Sequence, residues 1–154
     1  MKQLKLLELE VKKRLLNDPA HDYSHIMRVY KNAKLILKHE NANNVLVMAS
    51  VLLHDIINFP KSDPRSKYSS TKSATLASRI LRKYDFSNED IMTICDAIRD
   101  HSFSRGKIPK TIEGKILQDA DRLDALGAIG IARVFTVGGF EQRLLYNYSD
   151  PFCK

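Results

Sequence analysis

The chain has 154 residues, 44 % of them apolar and 28 % charged, which suits one folded domain and excludes a disordered or fibrous chain. Its 25 basic and 18 acidic side chains leave a formal charge of +7, a balance that favours anionic partners without saying where they bind. The two cysteines, Cys95 and Cys153, fit neither a disulfide framework nor a zinc knuckle, so a reducing cytoplasm is the expected setting.

Helical periodicity dominates. Leu4, Leu7, Val11 and Leu15 recur at steps of three and four, predicting an amphipathic first helix that stops at Asn17-Asp18-Pro19. This segment alternates charge with leucine and does not read as a signal peptide. A second helix starts near Asp22, carries Ile26, Val29, Ala33, Leu35 and Ile36, and ends around Asn41 to Asn44. The third, from Val45 to about Ile57, is apolar nearly all round and belongs in the middle of the bundle. Its most apolar run, Val45 to Leu53, is about half the length of a membrane span, so a soluble protein is expected.

Pro60, Asp63, Pro64 and Ser66 mark a polar loop, after which Ser69 or Ser70 caps a fourth helix, Thr71 to about Tyr84. A fifth follows the acidic turn Ser87-Asn88-Glu89-Asp90 and runs to about Asp100. After a second loop, a sixth helix spans about Ile112 to Leu126 and breaks at Gly127; apolar residues resume from Ala128 to Val137, and Gly138-Gly139 interrupts them. With no strand pattern, repeat or low-complexity segment, the expected fold is an all-α bundle of six to seven helices. Phe135, Phe140, Leu144, Leu145 and Tyr146 are read as core, with a homodimer contact as the alternative.

Four places carry ionisable groups into apolar surroundings or crowd them together. Asp22 and His25 lie one turn apart at the start of the second helix; His54-Asp55 directly follows Val51-Leu52-Leu53. His101 stands just past the fifth helix, and Asp119, Asp121 and Asp124 sit between Ile116-Leu117 and Leu126. Uncompensated burial of such groups costs several kcal/mol, and a bound cation is one way to offset it. Asp121 and Asp124 share a helix face while Asp119 points elsewhere. A mixed set of imidazoles and carboxylates suits Mn²⁺, Fe²⁺, Co²⁺, Ni²⁺ or Zn²⁺ more than Ca²⁺, with Mg²⁺ less suited. Each feature also has a plain structural reading: a helix cap for Asp22, solvated surface for His21 and His39, a helix end for the His54-Asp55 pair. The ordered set, histidine, then His-Asp, then aspartate, each on its own helix, favours the metal.

At these residues the chain resembles the HD-domain superfamily of metal-dependent phosphohydrolases, whose signature is H…HD…D. His25 matches the first histidine, His54-Asp55 the pair and Asp121 the distal aspartate. The wording HDYSHIMRVYKNA, LLHDIINFPK, SSTKSATLA, IRDHSFSRG and ILQDADRLDALGAIGIAR is similar to a branch of small, nucleotide-directed members, and the likeness spans roughly residues 20 to 150. It implies a single domain over 1–154, ending before the further helices usual in that branch. It also implies one divalent transition metal held by His25, His54, Asp55 and Asp121, and hydrolysis of a small phosphorylated substrate, most readily a nucleotide.

On the same resemblance Asp55 also orients the attacking water, His101 protonates the leaving group or contacts phosphate, and Asp124 backs a ligating histidine, as Asp22 does at second remove. Arg28, Lys72 and Arg122 are candidate phosphate contacts, with solvated surface charge as the alternative for each. A catalytically inactive module binding metal and nucleotide is the alternative for the whole chain. Nucleic acid is not expected as a partner, since no basic segment is interleaved with aromatics. One departure stands out. HD-type 5′-nucleotidases carry a glutamate three positions after the His-Asp pair, where this chain has Asn58.

Overall fold

The structure is a computed structural model that describes residues 2–15, 22–60 and 62–151. Seven α-helices follow in order: α1 (Lys2–Arg14), α2 (Tyr23–Ile36), α3 (Asn44–Leu53), α4 (Ser69–Leu81), α5 (Asn88–Asp100), α6 (Ile112–Leu123) and α7 (Gly127–Phe140). Short 3₁₀ turns occupy Pro64–Tyr68 and Phe103–Arg105, and no strand occurs among the described residues. No single helix among them is long and apolar enough to cross a membrane. The expected stop at Asn17-Asp18-Pro19, and His21, lie outside the described residues.

Every residue of α3 from Leu46 to Leu53 is buried, and this helix packs against α1, α2, α5 and α6, the central place its all-round apolarity predicts. Side chains punctuate the helices where the sequence offers caps: Asp22, Asn43, Ser87 and Thr111 accept first-turn N–H groups of α2, α3, α5 and α6, each worth about 1 kcal/mol. Several boundaries differ from expectation. Helix α2 ends at Ile36, short of the Asn41 to Asn44 stop. Helix α3 ends at Leu53 rather than near Ile57, with His54 at its C-cap. Neither serine caps α4: Ser69 is its first residue, and Ser69 Oγ instead accepts the Phe59 N–H at 3.2 Å. Helix α7 runs through Gly138-Gly139 to Phe140.

The largest difference concerns the C-terminal apolar residues. Phe135, Phe140, Leu144, Leu145 and Tyr146 are not core; all five are exposed, Leu144 at 83 %. The cause is the course of α7. Gly127, at φ +64°, lets the chain turn by 75° between α6 and α7, and Gly130 is the only buried residue of α7. A Cβ at Gly130 would stand 2.1 Å from the Ala125 carbonyl oxygen, so only glycine permits this close approach.

Candidate metal centre

The C-terminal ends of three helices meet at one place. His54 caps α3, His101 caps α5, and Asp121 lies in the last turn of α6, ahead of its cap Asp124. Each contributes the negative end of a helix dipole, which favours a cation. His25 enters from the first turn of α2, where Asp22 Oδ1 accepts its backbone N–H at 2.8 Å; Asp22 thus acts on the site through the helix end it caps.

Hydrogen bonds orient all three buried imidazoles alike. His54 donates Nδ1–H to the Val51 carbonyl at 2.7 Å, His101 to the Ile98 carbonyl at 2.6 Å, and His25 to Asp124 Oδ2 at 2.8 Å. In the tautomers these bonds assign, every Nε2 turns a lone pair inward. His25 Nε2 and His54 Nε2 stand 3.3 Å apart, a separation at which two acceptors repel unless a cation or a proton lies between them. Asp55 Oδ2 is 3.7 and 3.6 Å from these two nitrogens, and Asp121 Oδ1 is 3.5 and 3.9 Å from them. Two ligands held about 2.1 Å from one tetrahedral ion stand roughly 3.4 Å apart, so the donor set fits a divalent metal. Asp55 also faces His101, whose Nε2 lies 3.9 Å from Asp55 Oδ1.

Behind this ring lies a charged support. Asp124 is buried and accepts from His25, from Arg28 Nε and Nη2 at 2.7 and 3.0 Å, and from Arg133 Nη1 at 3.0 Å. Burial alone would raise its carboxyl, but the His25 and Arg28 hydrogen bonds hold it well below the usual carboxylate range. Burial pushes His54 down, against the pull of Asp55 and Asp121. Burial also lowers His25, yet hydrogen bonds donated to Asp124 and Asp55 and the charges of Asp55 and Asp121 outweigh it, raising the imidazole to about 9.

The centre opens into a cleft of about 530 Å³, lined by Asp55, His101 and Asp121 together with Phe103, Arg122 and Arg133. Of the residues singled out from sequence, the structure gathers His25, His54, Asp55, Asp121 and His101 at one point, with Asp124 directly behind. Arg122 faces the cleft and lies over the Phe103 ring. Arg28 is turned to Asp124 instead of the cleft, and Lys72 is exposed on α4 and does not line it. His39 and Asp119 are exposed, as expected. Sequence reasoning missed Arg133, although its signal was present: it is the one charge in the apolar stretch of α7, GAIGIARVFTVGGF. It also missed Phe103, a lone aromatic in a polar loop, for which the sequence offered no periodicity.

A helical bundle with this H…HD…D constellation defines an HD domain. Residues 22–126 match the HD domain family, and the chain belongs to it. Among proteins it resembles, the uncharacterised protein YpgQ of Bacillus subtilis is 35 % identical over 136 residues, covering 82 % of this chain and 61 % of YpgQ. The chain thus spans less than two thirds of that relative. Among solved structures, a Lactobacillus plantarum protein superposes with TM-score 0.79 at 32 % identity, covering 96 % of this chain and 68 % of that one. YpgQ in complex with ADP gives 0.71 at 32 %, covering 99 % and 77 %. An HD-superfamily hydrolase of Bacillus thuringiensis gives 0.71 at 33 %, covering 96 % and 71 %. The family implies a divalent metal, which the clustered histidines and aspartates suit.

Proposed function

We propose that this chain is a metal-dependent phosphohydrolase that uses water to cleave a phosphoester or phosphoanhydride bond of a small phosphorylated substrate, a nucleotide foremost. The observation that carries the reading is the donor set: the buried Nε2 atoms of His25 and His54 meet Asp55 and Asp121, which with His101 and Arg122 line one open cleft. The ADP complex of the relative YpgQ supports a nucleotide.

In this reading His25, His54, Asp55 and Asp121 hold a single transition metal ion. When bound, such an ion lowers the pKa of a coordinated water and polarises a phosphoryl oxygen. Asp55 uses its second oxygen to orient the attacking water, and the 3.9 Å between that oxygen and His101 Nε2 is a distance a bridging water spans. His101, its Nδ1–H committed to Ile98, moves a proton only through Nε2, the nitrogen facing the cleft, and delivers it to the leaving oxygen. Arg122 contacts phosphate oxygens, while Arg28 and Arg133 hold Asp124 and so fix the His25 tautomer.

The test is hydrolysis of a nucleotide panel with Mn²⁺, Co²⁺, Ni²⁺ and Mg²⁺, run beside Asp55→Ala. Metal-dependent turnover that the variant loses is the expected result, and release of phosphate or pyrophosphate identifies the bond. Metal bound with no turnover on any nucleotide would instead favour an inactive binding module.

A further inference from the structure

Among the large apolar side chains that the described residues leave exposed, Phe103 is the one that lines the cleft of the metal centre. It is a large apolar side chain, 80 % exposed, yet it stands on a loop that the fold holds firmly. Buried Gln118 donates Nε2–H bonds toward the carbonyls of Asp100, His101 and Lys107, at 3.3, 3.2 and 2.9 Å, clamping both ends of the turn. Arg105 Nη1 donates to Thr71 Oγ1 at 2.7 Å, tying the turn to α4. Gly106, at φ +60°, returns its N–H to the Phe103 carbonyl at 3.0 Å. An exposed aromatic on a braced backbone is preorganised to receive a ligand, because little freedom remains to be lost on binding.

Its position adds direction. Phe103 lies two residues beyond His101, so their backbones are at most about 7 Å apart. Both line the same cleft as Asp55 and Asp121. The Arg122 guanidinium lies 5.5 Å from the Phe103 ring centroid, placing a positive charge beside the aromatic in the cleft that also holds Asp55 and Asp121. A ligand with one end at the metal cluster reaches this ring only if it carries an apolar, planar group a short distance from its anionic end. That is the layout of a nucleotide.

Resting on the phosphohydrolase reading above, we propose that Phe103 is the platform on which the base of a nucleotide stacks while its phosphates lie at the His25–His54–Asp55–Asp121 cluster, making Phe103 the residue that separates nucleotides from other phosphate compounds. Stacking is tolerant of base identity, since every base has a π-face. The platform therefore selects for a nucleoside and only weakly among nucleosides.

The experiment uses Mn²⁺-loaded full chain and two non-hydrolysable probes, α,β-methylene-ADP and methylenediphosphonate, which share a P–C–P group and differ by the nucleoside. Calorimetry is expected to show the preference for the nucleoside probe falling roughly 5- to 150-fold in Phe103→Ala, the range for one stacked base, and returning in Phe103→Tyr. The chain has six tyrosines and no tryptophan, so Phe103→Trp supplies a single tryptophan whose selectively excited emission the nucleoside probe quenches and the diphosphonate does not. An unchanged preference in Phe103→Ala, or quenching by neither probe, overturns the platform while diphosphonate binding leaves the phosphohydrolase reading standing. Failure of wild-type protein to bind either probe overturns both.

Discussion

His25 is held at both ends, its backbone by Asp22 and its Nδ1–H by Asp124, and its remaining nitrogen faces His54 at 3.3 Å. In the metal-free protein the hydrogen bonds to Asp124 and Asp55 and the charges of Asp55 and Asp121 hold a proton on this imidazole, raising it to about 9 despite its burial. The sign follows. A raised value means that the stability contributed by protonated His25 is fully present below its ordinary value of 6.5 and is lost as pH rises through about 9. Asp124, depressed below its ordinary value of 3.8, contributes stability above that value and loses it as pH falls. Metal-free protein is therefore expected to be most stable between these limits in pH-dependent unfolding. Near pH 7.5, metal binding should expel about one proton, read by calorimetry in buffers of different ionisation enthalpy; buffer-independent heats would contradict this. Asp124→Asn should weaken metal affinity 10- to 100-fold, measured by competition with a chelator. At this scale the sequence was informative wherever an ionisable residue interrupts an apolar run, as at His54-Asp55 and Asp121. It misplaced Arg28, read as a phosphate contact or a solvated charge and found on Asp124, because a charge on a helix face looks the same whether it meets ligand, solvent or a buried carboxylate.

Side-chain caps mark the starts of α2, α3, α5 and α6; Asp22 and the Ser87 turn were legible as such in the sequence, whereas α4 and α7 begin without a side-chain cap. Helix ends were less legible. Propensity does not reveal that His54 Nδ1 takes the Val51 carbonyl, the tertiary demand that accompanies the end of α3. Nor does it reveal that α7 continues through two glycines, each costing about 1 kcal/mol relative to alanine in a helix. The glycines of α7 are not equivalent. A Cβ at Gly130 meets the Ala125 carbonyl, whereas one at Gly138 meets nothing within 4 Å. Gly130→Ala should destabilise by roughly 1–3 kcal/mol through overpacking, and Gly138→Ala should stabilise by up to about 1 kcal/mol. Denaturant melts of the pair check this; equal effects would place α7 wrongly against α6.

Hydrophobicity predicted the all-α bundle of the whole molecule and placed α3 at its centre, but it mistook apolar for buried beyond Gly127. Leu117 and Phe135 look alike in sequence. The first is fully buried on α6 and the second is 57 % exposed on α7. Leu117→Ala is expected to cost about 2–5 kcal/mol and Phe135→Ser to stay within about 0.5 kcal/mol, measured by urea unfolding at fixed protein concentration. Nothing in the composition distinguishes them, because the difference arises from the 75° turn between α6 and α7, which is a property of backbone geometry at Gly127 and Gly130.

The most direct test of the metal-centred account is a Mn²⁺ titration of metal-free protein in which bound ion and nucleotide hydrolysis are read from the same samples, with Asp121→Ala alongside. Turnover is expected to rise in proportion to occupancy, to saturate near one ion per chain, and to be lost in the variant together with tight binding. Hydrolysis that persists in metal-free protein under chelator, or that survives in Asp121→Ala at undiminished metal affinity, would contradict that account.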